Sequence, residues 1–358
     1  AQVVDVVDPI WERAGADTTE LKKRTATLII KGTDKYFASS SLTAEKIKIV
    51  VNDVEQTEGI TVEVTEDTSV TLAYGKQYKI KITGFVSNAY QVKMVIPEGT
   101  LVDQSGNVSK ETEFLIFSCL KTTDTEKSST SPFLGNTALQ RQKIEKIILQ
   151  DNFDGVNSTR WDVSAQEDGS IIGWYETTSK GTYIVHIGSY SGINANYNSR
   201  YLFSHIGYGE ACNEQETIKN LNLLNVSNVT DMGAMFYNCG YTAMTSLNLG
   251  DNFDTSNVEQ MGGMFNGCGY TAMTSLNLGD NFNTSNVIDT DGMFYNCGYT
   301  AMTSLNLGDK FDTSKVKYMQ YMFSNCGYTA MTSLNLGNKF DTSSVKDMHY
   351  MFRECGYT

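Results

Sequence analysis

The chain has 358 residues, with 41 acidic against 28 basic side chains and a net charge of −13. That length suggests two or three domains and a core large enough to need no disulfide staple. The acidic balance excludes the basic surface that nucleic acid or an anionic membrane requires, 3 His leave little material for metal or His-based chemistry, and no apolar run reaches the roughly 18 residues of a membrane span.

Residues 9–118 are patterned for strands. Ala26–Ile30, Ile47–Val51, Ile60–Val64, Tyr78–Ile82, Gln91–Ile96 and Glu113–Phe117 alternate or run β-branched, with Gly, Asn, Asp and Ser clustered between them. Six or seven short strands at this spacing predict an Ig-like β-sandwich. The stretch Pro97-Glu98-Gly99-Thr100-Leu101-Val102-Asp103-Gln104-Ser105-Gly106-Asn107 resembles the late hairpin of bacterial Ig-like modules. Residues 119–136 are rich in Thr and Ser and are expected to form a flexible linker. Residues 137–220 are expected to be an α/β cap that shields the first edge of the C-terminal region.

From residue 221 the chain repeats. Met244-Thr-Ser-Leu-Asn-Leu-Gly250 recurs at Met273, Met302 and Met331, 29 residues apart each time. Each unit continues with Asp/Asn-Thr-Ser-x-Val, a Met-Phe pair and Cys-Gly-Tyr-Thr; a divergent first unit precedes these, giving about five units over 221–358. A fixed period of this length predicts stacked repeats, because one unit cannot bury its apolar face alone. Met244, Leu247 and Leu249 fit inward positions of a strand whose Thr245, Ser246 and Asn248 point to a concave face. Val258, Met261, Met264 and Phe265 recur at three- and four-residue spacing and predict a short helix forming the opposite wall. The third unit carries Thr290 in place of Met in this stripe. Residues 259, 260, 262, 263, 266 and 267 and their equivalents differ between units and are expected to face solvent. The fold class expected for the chain is therefore multidomain: an all-β Ig-like sandwich, then an α/β leucine-rich-repeat solenoid with a parallel sheet and an N-terminal cap.

The repeat resembles the BspA-like leucine-rich repeats of bacterial surface proteins, in the branch catalogued as a domain of unknown function in mycoplasma and Firmicute lipoproteins. Leu-Asn-Leu-Gly-Asp-Asn-Phe-Asp-Thr-Ser-Asn-Val (247–258) and Met-Gly-Gly-Met-Phe-Asn-Gly-Cys (261–268) carry the resemblance. Upstream, Ile144–Ile148, Trp161–Ser164, Asp168–Ser170, Ile187-Gly188, Asn194–Asn196 and Ser199–Phe203 resemble the segment preceding such repeats, so it covers residues 137–358. It implies a non-catalytic protein of the bacterial cell surface, extracellular, with a host or bacterial surface protein or glycan as partner. The start at Ala1-Gln2 and the stop at Gly356-Tyr357-Thr358 lead us to expect a fragment of a longer processed protein, its signal and anchor lying elsewhere.

Five of the 7 Cys, namely Cys239, Cys268, Cys297, Cys326 and Cys355, occupy one repeat position and are expected to form a structural ladder of buried thiols. They lack the Cys-x-x-Cys spacing of a zinc site. Cys119 and Cys212 stand outside the ladder, and a bond between them is left open. No cofactor or metal is expected. Asp151, Asp154 and Asp162 lack calcium-loop spacing. Gly188-Ser-Tyr-Ser-Gly192 places Tyr190 where a nucleophile elbow needs its Ser. His186, His205 and His349 fit no zinc-protease motif, and no catalytic residue is assigned. A rival reading seats a thiol enzyme near Cys212, His186 and His205, and another makes the chain a stalk without a ligand. The favoured ligand-binding residues are the stacked rows Thr245, Thr274, Thr303, Thr332; Ser246, Ser275, Ser304, Ser333; and Asn248, Asn277, Asn306, Asn335. Tyr241, Tyr270, Tyr299, Tyr328 and Tyr357 form a further row whose rings could stack on sugars.

Overall fold

The computed structural model describes residues 6–14, 18–20, 24–85, 91–190 and 192–357. Ala1, Gln2, Ser191 and Thr358, on which part of the sequence reading fell, lie outside the described residues. The chain divides into two compact units, Ala1–Ser118 and Cys119–Thr358.

The first unit is built from β1 (Ile10–Arg13), β2 (Thr18–Glu20), β3 (Thr25–Thr33), β4 (Phe37–Ser40), β5 (Lys48–Val51), β6 (Val54–Glu55), β7 (Thr61–Glu66), β8 (Gly75–Thr83), β9 (Gln91–Ile96), β10 (Leu101–Asp103) and β11 (Thr112–Ser118). One antiparallel sheet runs β1-β3-β8-β7 with β2 also on β3, a second runs β11-β9-β5-β6, and β10 pairs β4. Alternation makes β3 and β8 two-faced, whereas β9 is buried along most of its length. Ala26, Leu28 and Ile30 of β3 and Tyr78, Ile80 and Ile82 of β8 are buried from one sheet, Ile49, Val92, Met94 and Ile96 from the other, and all join one core.

The second unit departs from expectation at its start. Residues 119–136 are not a free linker: Leu120, Phe133 and Leu134 are buried in the unit's core. The Leu120 N–H donates to Asn194 O at 2.9 Å. Glu126 accepts from the backbone of Leu134 (3.1 Å) and Gly135 (3.0 Å) and pairs with the fully buried Arg141. Arg141 in turn donates to Tyr201 O (2.7 Å) and Ser204 O (3.1 Å). A polar composition concealed three apolar anchors and one ion pair, and those hold the segment down.

Five strands come next in one mixed sheet, order β13-β14-β15-β12-β17, from β12 (Ile144–Gln150), β13 (Trp161–Asp162), β14 (Ile172–Thr177), β15 (Tyr183–Gly188) and β17 (Ile218–Lys219). Between β15 and β17, β16 (Ile193–Asn194) pairs in parallel with β18 (Leu224–Asn225). Among the described residues this region has no α-helix, so the expected α/β cap is a β structure with 3-10 turns at Arg141–Lys143 and Leu221–Leu223.

The expected α/β solenoid is not formed either. The four repeat strands β19 (Ser246–Asn248), β20 (Ser275–Asn277), β21 (Ser304–Asn306) and β22 (Ser333–Asn335) are three residues long. They pair as two separate parallel ribbons, β19 with β20 and β21 with β22, not as one continuous sheet. The predicted wall helix is absent. Its apolar stripe is real, since Val258, Met261, Met264 and Phe265 are all fully buried. Its backbone is not helical, because three residues per repeat are left-handed: Gly263, Gly267 and Gly269 (φ 65°, 66°, 57°), then Gly292, Asn296 and Gly298 (58°, 56°, 54°), then Tyr321, Asn325 and Gly327 (54°, 56°, 54°). A left-handed residue every few positions interrupts any α-helical run.

This backbone sets the hydrogen bonds. The N–H groups of Met261, Gly263, Phe265 and Gly267 donate to Asp289, Asp291, Met293 and Tyr295 of the next repeat at 2.7–3.0 Å. The intervening Met264, Asn266 and Cys268 donate three residues back, to Met261, Gly263 and Phe265. A helix would satisfy its backbone internally; here half of the wall's donors tie one repeat to its neighbour. Phe203, Phe236, Phe265, Phe294, Phe323 and Phe352 consequently stack in a column with centroids 5.3–5.5 Å apart.

Candidate ligand-binding face of the repeats

On the repeat strands the side chains alternate. Leu247, Leu276 and Leu305 are buried, while Ser246, Asn248, Ser275, Asn277, Ser304, Asn306, Ser333 and Asn335 are exposed. Thr274, Thr303 and Thr332 are exposed as well, and Thr245 is half-buried. Within each ribbon the pairing is like on like, Ser246 with Ser275 and Asn277 with Asn248, and likewise Ser304 with Ser333 and Asn306 with Asn335. The rows are therefore surface rows.

Part of their polar chemistry is already used. The Oδ1 atoms of Asn248, Asn277, Asn306 and Asn335 accept from Gly250, Gly279, Gly308 and Gly337 two residues on, at 3.0–3.1 Å. Each closes the turn that leaves its strand. Thr274 and Thr332 donate their hydroxyls to Thr245 O (3.2 Å) and Thr303 O (3.3 Å) of the preceding repeat. What the face can still offer a ligand is the Asn Nδ2 donors, the Ser hydroxyls and the hydroxyls of Thr245 and Thr303.

The tyrosine row is arranged differently from the sequence reading. Tyr241, Tyr270, Tyr299 and Tyr328 stack on one another with centroids 4.6–4.7 Å apart and interplanar angles of 8–10°. Tyr357 continues the column at 5.6 Å. Each inner ring has both faces covered by its neighbours, so these faces are not free to stack on a sugar; the ring edges and the open face of Tyr357, which is 65% exposed, remain. Burial raises the proton affinity of the Tyr241, Tyr270 and Tyr328 phenols, reinforced by neighbouring phenols, so these three favour the neutral form.

Residues that sequence reasoning passed over complete the frame. Thr255, Thr284 and Thr313 are fully buried and donate to Asn283, Asp312 and Asp341 of the next repeat at 2.7–2.9 Å. Their recurrence in every Asp/Asn-Thr-Ser motif was the available signal. On the outer wall Tyr318 is 40% exposed, and Tyr350, 55% exposed, packs against Tyr321 and His349. Asp291 lies in the same region; burial and the nearby carboxylates of Asp289 and Asp347 raise its pKa, although it accepts from the Gln320 N–H at 2.8 Å.

Residues 208–327 and 270–357 match the family model described as Mycoplasma protein of unknown function, DUF285. The matched span begins just ahead of the first repeat and runs through the last, and its description assigns no ligand or reaction. No curated protein and no solved structure matches the chain.

The remaining candidates are dispersed. All seven cysteines are free thiols, Cys119 and Cys212 included. Cys239, Cys268, Cys297 and Cys326 are fully buried, and burial pushes each of them well above its ordinary pKa. Cys355 is half-exposed. Burial pushes the Cys212 thiol up to about 11, the reverse of an activated thiolate. His205 is buried among Tyr208, Tyr237 and Asn238, and burial together with the Arg141 charge lowers it to about 4. His186 stacks on Trp174 and bonds Gln150 Oε1 at 2.6 Å. Asp162 is occupied by Ser164 and Gly169, and among the described residues no group of His, Cys, Asp or Glu is disposed to hold a metal. The described part of Gly188–Gly192 leaves Tyr190 exposed, while Ser191 lies outside the described residues.

Proposed function

We propose that the repeat region is a non-catalytic binding module, and that the chain works at a bacterial cell surface in adhesion to a host or bacterial protein or glycan. The observation that supports this is the strand face: exposed Ser and Asn rows at a fixed repeat, held in register by backbone bonds, suited to an extended and itself repetitive partner. Each contact is weak, and affinity accumulates along the repeats. The exposed tyrosines of the outer wall favour a second reading, in which that wall carries the contact, because its outward residues are the ones that differ between repeats.

The test is binding of the whole chain to extracellular-matrix proteins, mucins and a glycan array, comparing it with the Asn277→Lys/Asn306→Lys double variant and with Tyr321→Ala. Both Asn residues are exposed, but each change removes the turn bond from Gly279 or Gly308, so thermal unfolding of the variant is measured alongside to separate lost binding from lost folding. Loss of saturable binding, by tenfold or more, in the Asn variant alone supports the strand face. Loss in the Tyr321 variant alone moves the site to the wall, and the absence of saturable binding to every partner overturns the adhesin reading.

A further inference from the structure

Three side chains from separate segments of the second unit meet at the start of its mixed sheet. Lys180 sits in the turn joining β14 to β15, Asn213 in the loop before β17, and Glu145 at the beginning of β12. The Lys180 Nζ donates to Asn213 Oδ1. The same Nζ lies 3.7 Å from Glu145 Oε2. Glu145 is unlike the other acids around it: its side chain is only 3% exposed, and its Oε2 is buried without a hydrogen-bond partner. The register of β12 against β15 shifts between Ile144 and Lys146. That irregularity lets both Ile144 and Glu145 be buried, while Lys146 turns to Glu214 (3.0 Å) and Glu216 (3.5 Å). Lys180 therefore faces one carboxylate, and that carboxylate has no better partner.

An amine that bonds a carboxamide and lies 3.7 Å from a buried carboxyl brings together the components of an intramolecular acyl transfer. We propose that Lys180 and Asn213 form an isopeptide bond, with Glu145 as the proton carrier. Lys180 passes one proton to Glu145, which frees the Nζ lone pair to attack Asn213 Cγ. The Nζ–Cγ bond forms and the Cγ–Nδ2 bond breaks. The leaving nitrogen departs as ammonium with two protons from Lys180, one handed over directly and one by way of Glu145, which ends as it began. No oxidant or co-reactant enters. Contact between the reacting groups supplies the proximity such a step needs, and the 41% exposure of Lys180 gives ammonium a direct exit. The product joins positions 33 apart in sequence and ties the β14–β15 turn to the segment that leads into the repeats.

Intact-mass spectrometry of the purified full chain tests this. The expected mass is below the sequence mass by one ammonia, and trypsin is expected to release a branched peptide containing both Lys180 and Asn213. Lys180→Arg and Glu145→Gln are expected at the full mass of their sequences, and Asn213→Asp is expected to lose one water instead. Lys180→Arg changes an exposed side chain and keeps its charge, so it stays informative even where Glu145→Gln disturbs the fold. A full chain at its sequence mass overturns the proposal. An ammonia loss that persists in Lys180→Arg overturns it too, because the loss then arises from an asparagine imide elsewhere.

Discussion

His205 shows how one buried side chain can carry a pH dependence. Its neutral form is the one the fold accepts, with the folded pKa near 4 against an ordinary 6.5. The unfolded chain therefore takes up the proton more readily between these values. This contribution to stability is complete above about pH 6.5 and falls as pH drops towards 4, by about 1.4 kcal/mol per unit. The equivalent position in later repeats is Asn238, Gly267, Asn296, Asn325 and Glu354, all left-handed like His205 itself (φ 57°), with Asn at three of the five. His205→Asn should thus fold and lose this term. Urea unfolding at pH 7 and pH 5 checks it: the variant should lose less stability over the interval than the unmodified chain, and equal losses would remove His205 as the cause.

At the scale of the element, the wall turn depends on where left-handed residues fall and what lies beside them. Gly263 and Gly269 both have positive φ, yet their surroundings differ. A Cβ on Gly263 would meet nothing nearer than 3.9 Å, and Ala234 and Tyr321 already occupy the matching position. A Cβ on Gly269 would stand 2.3 Å from Met273 Cβ. Gly263→Ala is expected to cost about 1 kcal/mol, the ordinary left-handed penalty, and Gly269→Ala to cost at least about 1–3 kcal/mol more, as overpacking does. Thermal unfolding of the two variants side by side decides it; equal losses would mean that the wall relaxes around Met273. The residue at this second position is glycine in every repeat, Gly240, Gly269, Gly298, Gly327 and Gly356, so this constraint was visible as a repeated letter before its geometry was known.

Across the whole molecule the repeats share one continuous core with the sheet that precedes them. The thiol column runs through that core, so thiol chemistry reports on its integrity. In the native chain a membrane-permeant alkylating reagent should label Cys355 first, since Cys239, Cys268, Cys297 and Cys326 are fully buried and their thiolates disfavoured. All seven should react after denaturation. Peptide mapping over time checks the order. Early labelling at Cys268 or Cys297 would show that neighbouring repeats separate readily, contrary to a stack tied by backbone bonds along the wall.

Periodicity and partition were legible in the residues alone. The 29-residue recurrence specified which residues stack on which, and the two-residue and three-to-four-residue apolar patterns marked Leu247, Met261, Met264 and Phe265 as core. Which residues of the repeat strand face outward also came from alternation, since a strand's faces are a local property. Tertiary structure decided the rest. A Met-x-x-Met-Phe stripe has the period of a helix, but left-handed residues and bonds to the next repeat made it a turn ladder, and those bonds exist only once a neighbouring repeat is present. The free faces of the tyrosine row disappeared for the same reason: a ring's neighbours are set by stacking, not by its own sequence. Glu126 and Arg141, and Glu145 with Lys180 and Asn213, lie 15 or more residues apart, and no local pattern pairs them. Long-range contacts between single charged residues leave no periodic trace, and only the folded backbone brings them together.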